Sequence, residues 1–307
     1  MSSNFEEGEI DFPIPSLNGQ ISKTYYRLYG KLTGTKTPLI VLHGGPGACH
    51  NYMRPMADLT EKYGIPVILY DQIGNGLSTH FPEKRGDTGF WNADLFIAEL
   101  DNLVDFLKIR ESGFDILGQS WGGMLGAEYA THQPQGLRKL IISNSPANME
   151  DWIRAANRLL NDLPKEVRDT IQQCEAEGKF ESPEYEEASM VFYRKHLCRL
   201  SEWPSDLLES LEWLTKKDPT VYLTMQGPSE FSVIGSLKDW TIVPALHKIN
   251  VPVLLLNGCY DEAQDEVVKP YFENITKVKW YTFAEASHMT HEEERESYMD
   301  ITYEFLS

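Results

Sequence analysis

The chain has 307 residues, 41% of them hydrophobic and 24% charged, a globular composition and enough length for one large α/β domain with an insertion, or for two domains. Its formal net charge of −18 argues against a nucleic-acid backbone or an anionic membrane surface as partner. No stretch is long and apolar enough to span a bilayer, and the scattered Cys49, Cys174, Cys198 and Cys259 lack metal-type spacing.

Taken in chain order, Met1 to Pro15 carries acids at Glu6, Glu7, Glu9 and Asp11 and has no basic region followed by an apolar run, so no secretory leader is expected. Reduced cysteines and the missing leader together suggest a cytoplasmic protein. Gln20 to Gly30 alternates loosely as an edge strand would, with Glu9 to Ile14 as its antiparallel neighbour. Pro38 to Leu42 is an apolar β run that stops at His43-Gly44-Gly45-Pro46-Gly47, and Asn51 to Lys62 reads as a helix. Val67 to Tyr70 is the next strand, followed by the turn Asp71-Gln72-Ile73-Gly74-Asn75-Gly76-Leu77-Ser78. Ala93 to Lys108 has apolar residues at helical spacing, with acids on the other face.

Phe114 to Leu117 is a short buried-strand run, Gly122 to Ala130 a run of small residues and helix formers, and between them lies Gly118-Gln119-Ser120-Trp121-Gly122. A serine at such a strand-to-helix turn is held in a strained backbone conformation that lifts its hydroxyl clear of the sheet. The glycines are needed because a Cβ would clash where strand and helix meet. Ser120 is therefore the candidate nucleophile. Leu137 to Ser143 follows as another buried strand.

From Ala147 to Trp240 the strand pattern stops. Asp151 to Leu160, Pro164 to Glu177, Pro183 to Leu200 and Pro204 to Lys216 read as helices, several opened by a proline. The α/β rhythm resumes with Val251 to Leu256, a helix near Asp265 to Phe272, a strand from Lys277 to Phe283 and a C-terminal helix from about Glu292. Strands alternating with helices predict a mostly parallel sheet with helices on both faces. The expected organisation is a core over 1–146 and 241–307, with a helical cap over 147–240 inserted after the sixth strand.

A serine hydroxyl needs a general base, and the base an orienting acid. After this kind of turn the partners follow in the order acid, then histidine, each in a loop after a later strand. Asn257-Gly258-Cys259-Tyr260-Asp261-Glu262 supplies Asp261, with Asp265 the alternative acid; Ala286-Ser287-His288-Met289 supplies His288, with His291 as competitor. The oxyanion donors would be the backbone N–H of Trp121 and one from the His43–Gly47 loop, Gly45.

The segments His43–Gly47, Asp71–Ser78 and Gly118–Gly123 together resemble the proline iminopeptidase family of α/β-hydrolases. Pro183-Glu184-Tyr185, Phe192-Tyr193, His196-Leu197, Glu202-Trp203-Pro204, Gly227-Pro228-Ser229-Glu230-Phe231, Gly235 and Lys238-Asp239-Trp240 are similar to the helical cap of the tricorn-interacting prolyl aminopeptidases. The resemblance runs from about residue 20 to the end. It implies an α/β-hydrolase fold and a serine hydrolase that cleaves an N-terminal residue from short peptides or amino-acid amides. It also implies that Glu230 and Glu262 bind the free α-amino group, a role that two carboxylates near a serine can fill. Trp121 stands where several relatives carry tyrosine. The family also contains amidases of L-amino acids.

An esterase or lactonase is the alternative chemistry, though an ester of a neutral acid brings no cation to Glu230 and Glu262. A binding protein on this fold would normally have lost a member of the serine–acid–histidine set, and an epoxide hydrolase would carry aspartate at the nucleophile. No metal or organic cofactor signature is present, so none is expected. The expected partner is the small peptide or amide substrate, with no nucleic acid and no membrane, and a monomer is the working expectation.

Overall fold

The computed structural model describes residues 4–307; the first three residues of the segment read for a leader, which also open the 1–146 core, lie outside the described residues. β1 (Phe5–Ile14) and β2 (Gln20–Tyr29) form an antiparallel hairpin. β1 starts earlier than its apolar pattern predicts. Ile10, Phe12 and Ile14 are buried and alternate, whereas Phe5 to Glu9 have no buried face and are held by the ladder and by contacts of Phe5 and Glu7 with Tyr25, Arg27 and Tyr29.

β3 (Leu39–Leu42) is parallel to β4 (Val67–Tyr70), and β2 joins β4 from its other side, antiparallel. Between β3 and β4 the expected helix begins as a 3-10 turn over His50–Met56 and becomes α1 only at Ala57–Tyr63. Pro55 inside the turn has no N–H to continue an α-helical ladder. α2 (Ala93–Phe106) starts at Asn92, whose side chain accepts from the Leu95 N–H. β5 (Phe114–Gln119) leads through Ser120 into α3 (Trp121–Thr131), and β6 (Leu137–Ser143) follows.

Five helices then interrupt the alternation: α4 (Met149–Asn161), α5 (Lys165–Ala176), α6 (Pro183–His196), α7 (Ser205–Glu212) and α8 (Thr220–Met225). α7 runs on into a single π-helical turn over Trp213–Lys217. α8, one short turn after Pro219, has no counterpart in the periodicity. The segment leaves and rejoins the body of the protein at one place, where Asn148 and Thr241 form an isolated antiparallel bridge and Ile242 N–H donates to Ala147 O at 3.0 Å.

β7 (Val253–Gly258) begins two residues later than its apolar run, because Pro252 cannot donate to a ladder. α9 (Asp265–Asn274), β8 (Val278–Phe283), α10 (Thr290–Glu293) and α11 (Arg295–Leu306) complete the chain. The expected C-terminal helix is broken at Glu294, whose side chain accepts from Glu285 N–H instead.

The eight strands lie in the order β1-β2-β4-β3-β5-β6-β7-β8, parallel from β4 to β8. Strand alternation divides the apolar side chains between two cores. Ile40, Leu42, Val253 and Leu255 face α2, α3 and α9; Leu39, Val41, Leu254 and Leu256 face α1 and α11. The inserted helices carry a third core of their own, in which Leu159, Ile171, Tyr185, Phe192 and Phe231 pack together. Other side chains of the insert join the sheet's cores, Met149, Trp152 and Met225 on one side and Leu207, Leu214 and Tyr222 on the other. Among the described residues no helix is long and apolar enough to cross a membrane.

Candidate active site

Ser120 sits at φ 55°, ψ −124°, between the last residue of β5 and the first of α3. The flanking glycines are a steric requirement. A Cβ on Gly118 would lie 2.0 Å from Gly122 O, and one on Gly122 would lie 2.1 Å from Leu42 O. The turn leaves Ser120 only 8% exposed, at the meeting point of two cavities.

Asp261 and His288 come from the loops after β7 and β8. His288 Nδ1 lies 2.7 Å from Asp261 Oδ1. The same oxygen accepts from Ala263 N–H at 2.8 Å, and Oδ2 accepts from Asn144 Nδ2 at 2.6 Å. These bonds fix the carboxylate plane, and so the imidazole. The competing residues are engaged elsewhere. His291 Nε2 meets Tyr52 O at 3.0 Å, and Asp265 accepts from Asn257 Nδ2 at 3.1 Å where α9 begins.

Gly45 and Trp121 line the first cavity together with Ser120. Trp121 is the first residue of α3, so its N–H has no helical acceptor. The loop holding Gly45 is braced from two sides. Gly44 N–H donates to Tyr52 Oη at 2.6 Å, Tyr52 Oη donates to Gln119 Oε1 at 2.6 Å, and Gln119 Nε2 donates to His288 O at 3.1 Å. On the other side Trp121 Nε1 donates to Gln72 Oε1 at 2.8 Å, and Gln72 N–H donates to His43 Nε2 at 3.0 Å. Burial pushes His43 down to about 4, which keeps it neutral and its Nε2 free to accept. The indole of Trp121 is thus a brace as well as a wall of the cavity.

Two carboxylates face the serine. Glu230, from the loop after α8, lines both cavities; Tyr222 Oη donates to its Oε1 at 2.7 Å and Gln226 Nε2 to its Oε2 at 3.3 Å. Glu262 is 0% exposed, neither of its oxygens has a hydrogen-bond partner, and its Oε1 is 3.8 Å from His288 Nε2. Burial raises the pKa of Glu230, against the Tyr222 hydrogen bond and the attraction of His288. Burial, then the charges of Glu230 and Asp261, hold Glu262 well above the usual carboxylate range. An unpaired buried carboxyl is costly, and a cation placed between the two would relieve it. Trp152, whose ring lies edge-on to His288 with centroids 5.9 Å apart, walls the first cavity.

The structure thus brings Ser120, Asp261, His288, Gly45, Trp121, Glu230 and Glu262 to one place. Sequence reading gave no role to Asn144, Gln72, Tyr52, Tyr222 or Trp152. Gln72 lies in the glycine-rich turn after β4, a visible signal without an assigned task; the others carried none. Among the described residues no group of three or more His, Cys, Asp or Glu side chains is arranged to hold a metal.

The α/β hydrolase fold family matches residues 37–295. A proline iminopeptidase of Saccharolobus solfataricus is 37% identical over 285 residues, 92% of this chain and 88% of its own. The crystal structure of VinJ superposes with a TM-score of 0.93 at 42% identity, covering 98% of both chains. That of a proline iminopeptidase from Mycobacterium smegmatis superposes with a TM-score of 0.87 at 40% identity, covering 97% of both.

Proposed function

Since the chain belongs to the proline iminopeptidase family of α/β-hydrolases and is an aminopeptidase-type hydrolase, we propose that it releases the N-terminal residue, proline or another small apolar amino acid, from short peptides or amino-acid amides through a Ser120 acyl-enzyme. The observation that carries this reading is the pair Glu230 and Glu262 beside the serine and histidine. Glu262 in particular is a buried carboxyl with no partner inside the protein.

In this mechanism the substrate ammonium enters between Glu230 and Glu262. Its charge offsets the burial that raises both carboxyls, and at Glu262 also the repulsion from Glu230 and Asp261, so binding favours their ionised forms. Ser120 Oγ attacks the carbonyl carbon while His288 Nε2 takes its proton, and Asp261 steadies the imidazolium through Nδ1. The oxyanion is met by the N–H groups of Gly45 and Trp121, each contributing about 3–4 kcal/mol. His288 then gives the proton to the departing nitrogen as the C–N bond breaks. Water, deprotonated by His288, releases the amino acid and regenerates Ser120. The helices over 147–240 act as a cap that excludes bulk water and strengthens charge recognition. The free Cys49, Cys174, Cys198 and Cys259 fit a reducing cytoplasm.

An esterase acting on an uncharged acid would leave Glu262 as unmatched with substrate as without it. The deciding experiment is a panel of prolyl, alanyl and leucyl anilides with free and with acetylated amines, beside a simple ester. Hydrolysis of the free-amine anilides with loss on acetylation is the expected result. Ester turnover with no preference for a free amine would overturn the reading.

A further inference from the structure

Ser120, Gly45 and Glu230 line two cavities, and the rest of the walls differ. The first takes Trp121, Met124 and Trp152. The second takes His288, Glu262 and a run of side chains from the inserted helices. The reaction assigns each a side of the scissile bond, given the roles of Ser120 and His288 above, on which this inference rests. The departing nitrogen must collect its proton from His288 Nε2, so the leaving group occupies the cavity that His288 lines. The side chain of the released amino acid then falls to the other, between Trp121 and Trp152.

The leaving-group cavity is walled by Ala48, Leu197, Leu207, Leu211, Leu214 and Met289. Its other polar groups are already committed. Tyr52 Oη bonds to Gly44 N–H and Gln119, and Ser210 Oγ accepts from Tyr52 N–H at 3.2 Å and meets Cys49 Sγ at 3.3 Å. No lysine or arginine lines it, whereas Glu230 and Glu262 do. A dipeptide with a free C-terminus would put its own carboxylate into this chamber, where no lysine or arginine lines the wall and the substrate's ammonium is already engaged by Glu230 and Glu262. Burying an unpaired carboxylate is heavily disfavoured.

We propose that this cavity selects apolar, uncharged leaving amines: alkyl or aryl amines, or an apolar residue whose C-terminus is amidated. The bond broken is the C–N bond to Ser120-bound carbonyl carbon, and the nitrogen leaves as a neutral amine bearing the proton from His288. Such an amine departs into Leu197, Leu207, Leu211 and Leu214 without leaving any charge behind.

The test compares kcat/KM for prolyl-leucinamide and prolyl-leucine, and for a series of prolyl n-alkylamides from methyl to hexyl. The amide should exceed the free acid by at least about 10²-fold, and each methylene should add roughly 3- to 4-fold until the cavity is full. Leu211→Arg, at a partly buried position of the wall, should raise the free acid relative to the amide by about tenfold; Leu214→Lys is the deeper second variant. Amide and acid within threefold of each other, with a flat alkyl series, would overturn the inference. The same chain lengths run as alkyl esters of N-acetylproline read the cavity without the two glutamates. Chain-length preference on those esters with no turnover of free amines overturns the aminopeptidase reading and leaves this one standing.

Discussion

Glu262 is in tension with its surroundings, and that tension can be read as a function of pH. Its carboxyl is raised by burial and by Glu230 and Asp261, so the folded protein keeps a proton that the unfolded chain loses near the ordinary glutamate value of roughly 4.3. Above that value the unfolded state holds fewer protons, and stability falls as pH rises. Glu262→Gln removes this penalty. The variant should melt higher than the parent at pH 8, by an amount equivalent to about 1 kcal/mol, with the difference shrinking toward pH 4. A melting difference that grows toward acid pH would contradict this. The same substitution should impair catalysis. So should Glu230→Gln, which is expected to lower kcat/KM for a free-amine prolyl anilide by about 10²- to 10³-fold while changing an N-acetylated ester only a few-fold. Equal losses on both substrates would make Glu230 a support of the helical layer, through Tyr222 and Gln226, rather than a reader of substrate. Ser120→Ala should cut kcat by about 10⁴-fold or more with an unchanged melting temperature, and an organophosphonate should label the parent at Ser120 alone.

At the scale of elements, the end of α6 is tied into both loops that supply Asp261 and His288. His288 N–H donates to His196 O at 3.2 Å and Met289 N–H to Leu197 O at 2.9 Å. His196 Nδ1 meets Tyr260 O at 2.8 Å, the Arg199 guanidinium lies 3.6 Å from the Tyr260 ring centroid, and Glu293 accepts from both Arg199 N–H and Ser287 Oγ. Burial lowers the pKa of His196, so it stays neutral and donates from Nδ1. The inserted layer is therefore hydrogen-bonded to both loops, and in the proposed mechanism it would position them as well as cover them. His196→Phe keeps the packing against Phe192 but loses the bond to Tyr260; kcat should fall between about 10- and 100-fold with little change in KM. His196→Asn, whose amide can donate in the same direction, should recover most of it. Equal kcat for the two variants would show that packing alone matters at this position.

For the molecule as a whole, the inserted segment enters and leaves through one narrow base at Asn148 and Thr241, and it holds its own apolar core. As the proposed cap over Ser120, a layer built this way would limit what can approach. Di- to tetrapeptides should be substrates, and a folded protein with an ordered N-terminus should not be trimmed. Mass spectrometry of such a protein after prolonged incubation is the check, and quantitative removal of its first residue would refute the size limit. Within the peptides accepted, an amidated apolar second residue should be preferred.

The sequence alone determined what depends on near neighbours. Gly118, Ser120 and Gly122 were legible because the clashes that demand glycine there involve atoms a few residues away or on the adjoining strand end. β3 and β4 were legible because a strand buried on both faces must be apolar at every position, and β5 and β6 through their apolar stretches Ile116–Leu117 and Leu140–Ile142. The order of acid and histidine singled out Asp261 and His288 only as candidates, with Asp265 and His291 beside them. Which of each pair meets the other was decided by tertiary structure, through Asn144 and Ala263 on Asp261 and Tyr52 on His291. The early start of β1, the 3-10 turn at Pro55 and the break at Glu294 likewise follow from ladder partners and side-chain acceptors that no local pattern reports. The isolation of Glu262, the tie from α6 to the catalytic loops and the division of the cleft into two unlike cavities join segments up to 150 or more residues apart. Such contacts exist only once the sheet has set the strand ends side by side and the inserted helices have closed over them.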